Sequence, residues 1–372
     1  MKILFVSLGC DKNLVDSEKM LGMLQEKGYT FTDDEAEADV VVVNTCCFIG
    51  DAKEESINTL LQMGELKDSG QVKALIAAGC LAQRYREEIQ KEIPQVDAII
   101  GTTAIDEIVA ALEEILAGQK QNHYEDINAA PVTETNRVVT TGGHFAYLKI
   151  AEGCDKHCTY CIIPKVRGNY RSVPKESLLK EATELADKGV RELILVAQET
   201  TLYGMDLYGK KELPRLLHEL AQIPGIYWIR ILYCYPEEIT DELIDAIAAE
   251  PKVCNYLDIP IQHASDNVLK RMGRRTDQAE LRAIIGKLRE KIPDICLRTT
   301  LISGFPGETQ EDFEELYRFV NEMEFDRLGV FPYSQEEDTP AATMEDQVPQ
   351  EVKEFRRRPA PRIRAASQFR SV

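Results

Sequence analysis

The run "DVVVVNTC", residues 39–46, places four valines in a row between polar ends. A strand with one wet face alternates apolar and polar residues, so an unbroken run belongs to a strand covered on both faces. The runs "KILFVSLGC" and "VKALIAAGC" repeat the pattern before and after it. Each run is followed by a stretch of helical period: "LVDSEKMLGMLQEKG", "AKEESINTLLQMGELKDSG" and "LAQRYREEIQKEI". Such strands alternating with helices specify a parallel sheet between helical layers. "VDAIIGT" supplies a fourth strand and "AIDEIVAALEEILAG" a closing helix. The class is α/β, and residues 1–120 are expected to form an open parallel α/β sheet domain.

Residues 121–143 are polar and turn-rich, with Pro131 and the pair Gly142-Gly143, and read as a linker. From His144 the rhythm restarts with "HFAYLKIA", "RELILVA", "YWIRILY", "YLDIPIQ", "ICLRTTLI" and "RLGVFPYS" as strands. "KESLLKEATELADKG" and "QEDFEELYRFVNEME" are two of the intervening helices. Six successive βα units over 144–350 predict a partial (βα)6 barrel. Residues 351–372 carry a basic, proline-containing tail without period, expected to be disordered.

No apolar run reaches the length of a membrane span. The start "MKILFVSLGC" resembles a lipoprotein signal ending at Cys10, but its apolar stretch is short and lacks a basic leader. It reads as a first strand, and the chain as cytoplasmic. Ten cysteines in such a chain point to metal chemistry rather than a disulfide framework. Net charge is −19, and residues 1–128 hold 11 Lys+Arg against 24 Asp+Glu. An acidic body repels phosphate backbones and attracts basic proteins, although simple surface solvation explains it equally well.

"EGCDKHCTYCIIP" places Cys154, Cys158 and Cys161 in a Cys-x-x-x-Cys-x-x-Cys array. A structural zinc site closes with four ligands, often as two Cys-x-x-Cys pairs. Three thiolates would hold three irons of a four-iron cubane and leave the fourth open to a small molecule. The competing readings are a zinc site that recruits His157, or a disulfide with a spare thiol. The array directly follows the first barrel strand, where barrel chemistry is built. A second trio is scattered: Cys10, Cys46 and Cys80 each end a strand of the first sheet. Ligands bind open α/β sheets at that edge, so the three thiols converge on a second metal site. Cys47 should face away from Cys46, because neighbours on an extended chain point to opposite sides. Cys234, Cys254 and Cys296 read as core thiols.

"EGCDKHCTYCIIPKVRG" resembles the signature of the radical S-adenosylmethionine methylthiotransferases, and the strand-end trio resembles their auxiliary-cluster domain. "NTCCFIGDAKEES", "AAGCLAQRY", "LVAQETTLYGMDLYG", "RILYCYPEEIT", "YLDIPIQHASDNVLKRMGRR", "LISGFPGET" and "GVFPYSQEEDTPAA" are similar to the branch that modifies a ribosomal protein. The tRNA-modifying branch shares both cysteine trios and is the competitor within the family; a zinc-stabilised binding protein without catalysis is the competitor outside it.

The resemblance implies two 4Fe–4S clusters, on Cys154, Cys158 and Cys161 and on Cys10, Cys46 and Cys80. It implies two S-adenosylmethionine molecules per turnover: one cleaved to a 5′-deoxyadenosyl radical, one supplying the methyl group. The substrate would be an aspartate β-carbon of small-subunit ribosomal protein S-twelve, and the reductant a flavodoxin or ferredoxin. Tyr160 would flank the adenine. Gly304 and Gly307 would let backbone approach the cofactor, and Arg167, Gln198, Gln262 and Arg298 would line its site. Members of this branch continue into a small β-barrel, the TRAM domain, where this sequence has its basic tail; slower substrate docking is expected in its place.

Overall fold

The computed structural model describes residues 1–133 and 135–358. It divides into two compact units, Met1–Asp155 with Ile162–Gly189, and Lys156–Cys161 with Val190–Val372.

In the first unit the strands are β1 (Lys2–Ser7), β2 (Thr30–Thr32), β3 (Val40–Thr45), β4 (Ala74–Ala78) and β5 (Ala98–Ile100). The helices are α1 (Asp11–Glu26), α2 (Gly50–Asp68), α3 (Gly79–Arg84), α4 (Arg86–Glu92) and α5 (Ile108–Leu116). All pairs are parallel, in the order β2-β1-β3-β4-β5. The valine run explains itself here. Val41 and Val43 face a core with Leu4, Leu75, Leu60 and Leu81, while Val40 and Val42 face another with Ile3, Ile76, Met20 and Leu112. Helices α2 and α3 thus cover one face, and α1 and α5 the other. The order 2-1-3-4-5 is that of flavodoxin-type sheets, whose strand order reverses between the first and third strands. That reversal opens a crevice at the carboxyl edge.

The short edge strand β2, "TFT", was not among the expected strands. It is too short and too polar to register as an apolar run.

Residues 121–143 are no free linker. His123 pairs with Ile100 as a parallel bridge. Arg137 is buried, with Nε 2.7 Å from Glu18 Oε2 and Nη1 2.9 Å from Glu181 Oε1 and 2.6 Å from the Tyr147 carbonyl. Gly22 permits the crossing: a Cβ there would lie 2.1 Å from the Asn136 carbonyl oxygen. The first unit therefore runs past the expected boundary at 120. It also takes in β6 (Phe145–Lys149), β7 (Ala151–Glu152), α6 (Ile163–Arg167), β8 (Arg171–Ser172) and α7 (Lys175–Asp187).

The second unit holds β9 (Glu192–Val196), β10 (Trp228–Ile231), β11 (Val253–Asp258), β12 (Cys296–Ser303) and β13 (Arg327–Pro332), parallel and in sequence order. Strand β11 ends at Asp258, within the expected "YLDIPIQ" segment, just before Pro260, which offers no N–H. In β12 Leu297, Thr299, Leu301 and Ser303 are buried, while Cys296, Arg298, Thr300 and Ile302 are half-buried. A closed barrel fills its interior with branched apolar side chains; this alternation gives one polar, partly open face, in keeping with a partial barrel.

Residues 351–358 are not the disordered start of a tail. Gln350–Arg357 is a helix packed on β12 and β13. Arg356 Nη1 lies 2.7 Å from Glu308 Oε1, and the Lys353 carbonyl accepts from Ser303 Oγ at 3.1 Å. The remaining tail, 359–372, lies outside the described residues.

Candidate metal centres

Cys10, Cys46 and Cys80 follow β1, β3 and β4, three adjacent strands. Ser7, Asn44 and Ala78 are in register across them, and Thr45 bridges Gly79, so Cys46 and Cys80 each come one residue after a paired position. Cys10 and Cys46 flank the point where the strand order reverses. The three thiols share an electrostatic neighbourhood. Burial raises the Cys46 pKa, with Cys10 adding to the rise, and burial raises that of Cys80, against the Arg167 charge and with Cys47, Cys46 and Cys10 adding. Cys47 packs in the apolar core with Leu60 and Leu75, and burial pushes its thiol up to about 11.

One side chain ties the three loops together. Asn13, on α1, donates from Nδ2 to the Leu8 carbonyl at 3.0 Å and to the Thr45 carbonyl at 2.9 Å. Its Oδ1 faces the Cys80 sulfur at 3.7 Å. Ser56 of α2 clamps Cys46 from the other side, its Oγ 2.9 Å from both the Cys46 amide nitrogen and carbonyl oxygen. Gly9 is required by close approach: its φ is +90°, and a Cβ there would lie 2.7 Å from Cys46 Cβ. Neither Asn13 nor Ser56 was singled out in the sequence, because a helix-borne Asn or Ser has no local signature of such a role.

Arg167, expected to line the S-adenosylmethionine site, is held beside Cys80. It is 2% exposed, and its Nε lies 3.2 Å from Cys80 Sγ. Nη1 reaches Asp16 Oδ2 at 2.7 Å and Glu152 Oε2 at 3.1 Å, and Nη2 bonds Asn13 Oδ1. Cys154, in the same unit, is buried, and its amide donates to the Gly168 carbonyl at 3.1 Å.

The second unit carries Cys158, buried, and Cys161, half-buried, joined by an amide hydrogen bond of 3.0 Å. Cys158 Sγ lies 3.7 Å from the Tyr235 hydroxyl. Thr159 anchors the loop: its amide donates to the Met272 carbonyl at 2.9 Å, its hydroxyl to that of Arg271 at 2.9 Å, and its carbonyl accepts from the Ala341 amide at 2.8 Å. Lys156 pairs with Glu237 and Glu238. His157 is exposed, with φ 53°. Tyr160 is half-buried and meets Phe305 edge-on, centroids 6.4 Å apart.

Gln198 is half-buried just past β9. Gln262 has φ 70° and is bonded to β12, its amide 2.9 Å from the Thr300 carbonyl and its carbonyl 2.8 Å from the Ile302 amide. Arg298 is the third residue of β12, not its end, and pairs with Asp258 at 2.5 Å. A Cβ at Gly304 would strike Lys353 Cγ at 2.4 Å, and one at Gly307 would strike Arg271 Cζ at 2.5 Å. Their small size serves packing within the chain. Cys234 is a core thiol, whereas Cys254 and Cys296 are half-buried on the open face.

Two buried charged groups in the second unit carry unpartnered polar atoms. Glu199, beside Gln198, is fully buried; Oε1 accepts from the Thr201 amide at 2.8 Å, and Oε2 has no partner among the described residues. It is an acceptor suited to an ammonium group. Arg274 stacks 4.3 Å over the Tyr235 ring and donates from Nη2 to the Pro260 carbonyl at 3.0 Å. Its Nε and Nη1 have no partner among the described residues, leaving donors for an anion. Buried polar atoms are normally satisfied, so both orphans indicate a missing polar partner.

Burial raises the Glu199 carboxyl from 4.5 to about 7. The folded chain then holds a proton that the unfolded chain has lost, so this group's contribution to stability falls as pH rises through that range. Glu199→Gln should flatten the dependence: urea midpoints taken between about pH 5 and pH 7 should fall less in the variant. Parallel slopes would refute the assignment.

Among the described residues no three His, Cys, Asp or Glu side chains converge on a single metal ion. A cubane asks for something looser, because each thiolate binds a different iron.

A cysteine trio after three strands of the first sheet, together with the Cys-x-x-x-Cys-x-x-Cys array of Cys154, Cys158 and Cys161, marks a radical S-adenosylmethionine enzyme. Residues 148–320 match the radical SAM superfamily model, and residues 2–101 the model described as uncharacterized protein family UPF0004. The ribosomal protein uS12 methylthiotransferase RimO of Lachnoclostridium phytofermentans is 63% identical over 96% of this chain and 81% of its own length. That of Acetivibrio thermocellus is 53% identical over 96% of this chain and 80% of its own. TsrM from Kitasatospora setae, a radical S-adenosylmethionine methyltransferase solved with cobalamin and a 4Fe–4S cluster, shares the fold. Its TM-score is 0.64 at 13% identity, over 91% of this chain and 76% of that one. The chain belongs to the RimO family of methylthiotransferases. The cofactors of that family are two 4Fe–4S clusters and S-adenosylmethionine. No helix among the described residues is long and apolar enough to cross a membrane.

Proposed function

We propose that this chain adds a methylthio group to the β-carbon of an aspartate in ribosomal protein uS12, in the cytoplasm. The observation that carries the reading is the placement of Cys10, Cys46 and Cys80 on three adjacent strand ends of a chain 63% identical to a RimO. Those three residues would hold the auxiliary cluster, and Cys154, Cys158 and Cys161 the cluster that binds S-adenosylmethionine. The bound groups supply the radical cleavage and the methylthio transfer.

The protein's own part is positioning. Thr159 and Lys156 fix the loop that bears Cys158 and Cys161. Glu199 and Arg274 offer an acceptor and donors for the amino and carboxylate groups of S-adenosylmethionine. Tyr160, Gln198, Gln262 and Arg298 would border the cofactor. Gly304 and Gly307 would shape that border through their packing. A flavodoxin or ferredoxin would deliver electrons. The acidic body favours encounter with a basic ribosomal protein and disfavours tRNA, an effect that weakens with salt.

Mass spectrometry of uS12 and of bulk tRNA from a deletion strain tests this. Loss of the methylthio mark from uS12 with tRNA unchanged is expected. Loss of methylthio-adenosine from tRNA with uS12 unchanged would replace this reading with tRNA modification.

A further inference from the structure

We infer that Arg167 is a positioning residue for the auxiliary cluster: its guanidinium binds the Cys80 sulfur and raises the cluster's reduction potential. The inference rests on the reading of Cys10, Cys46 and Cys80 as cluster ligands. The geometry is specific. Nε, the one guanidinium nitrogen in the chain's own branch, faces the sulfur at 3.2 Å, while Nη1 and Nη2 are held by Asp16, Glu152 and Asn13. The planar fork leaves little freedom to turn away. Asn13 in turn holds the loops that lead to Cys10 and Cys46.

The charges around this contact are nearly balanced. Lys149 lies 2.7 Å from Glu152 Oε2 and also pairs with Asp16, so two cations face two carboxylates. Of these four groups, Arg167 is the one with a hydrogen bond to the sulfur. Hydrogen bonds to cluster sulfurs and local charge both set the potential of an iron–sulfur centre. Reduction adds one negative charge, which an N–H donor and a cation stabilise. The sequence adds a further point. Arg167 stands six residues after Cys161, so the segment that bears one cysteine array also supplies a donor to the other.

A purely structural Arg167 would affect stability and leave the potential alone. The test uses full-length chain in which Cys154, Cys158 and Cys161 are replaced by Ala, so that only the auxiliary cluster remains. Its reduction by dithionite is followed by electron paramagnetic resonance. Arg167→Lys should lower the ratio of reduced to oxidised cluster at a fixed poise about tenfold, equivalent to ~59 mV for a one-electron couple. Asp16→Asn removes a negative charge and should move the ratio the other way. An unmoved ratio in Arg167→Lys, with iron retained, overturns the inference. Should Arg167→Lys fold poorly, the parent protein labelled with nitrogen-15 arginine gives a second readout. The reduced cluster should show a hyperfine coupling to an arginine nitrogen, and absence of that coupling overturns the inference as well. No iron in the triple-alanine parent would instead overturn the ligand reading beneath it.

Discussion

Replacing Cys10, Cys46 and Cys80 by Ala should leave about half of the iron and preserve reductive cleavage of S-adenosylmethionine. Replacing Cys154, Cys158 and Cys161 should also leave about half of the iron but abolish that cleavage. The asymmetry follows from the two sets being borne by different segments of the chain. The first trio sits on the edge of the five-stranded sheet, held by Asn13 and Ser56. Cys158 and Cys161 sit in the loop anchored by Thr159, with Arg274 and Glu199 in the same unit. Cys47→Ala, in the apolar core beside Leu60, should change iron content little. Iron assays and product chromatography on the two triple variants check this. Full iron in either one would refute two independent sites.

Arg137→Leu should be among the most destabilising single changes in the first unit. Its guanidinium is buried against Glu18, whose side chain is 0% exposed, and against Glu181. Glu18 also accepts from the Thr140 amide at 2.6 Å and hydroxyl at 2.7 Å. Removing one partner of a buried pair leaves an uncompensated charge, at a cost of about 3–5 kcal/mol. Adding Glu18→Leu should recover part of the loss, because the orphaned carboxylate goes with it. Denaturant unfolding of the single and double variants measures both. A single variant within about 0.5 kcal/mol of the parent would contradict the pairing.

The sheet of the first unit was legible because its strands are apolar on both faces, a pattern that surface segments rarely imitate. The strand-end cysteines were legible for the same reason: once the strands are placed, their carboxyl ends follow. What escaped the sequence depends on distant partners. Arg137 looks like any linker arginine until Glu18 and Glu181 meet it, and it turns an expected linker into packed structure. Arg167 belongs by sequence with the second array, and only its contact with Cys80 reassigns it. Reading Gln198 as the polar residue after β9 passed over Glu199, whose burial is invisible without the fold. The helix Gln350–Arg357 was hidden by composition: Lys353 and Arg356 bury their stems and pair their heads, whereas a charge count treats both as solvated.

Methylthiolation of a ribosomal protein by this chain can be tested directly. The most direct measurement is an anaerobic assay with the reconstituted full-length chain, S-adenosylmethionine and dithionite, offered uS12 and tRNA together. A methylthio group on an aspartate of uS12, with tRNA unmodified, is expected. Methylthio-adenosine in the tRNA, with uS12 unchanged, would contradict it.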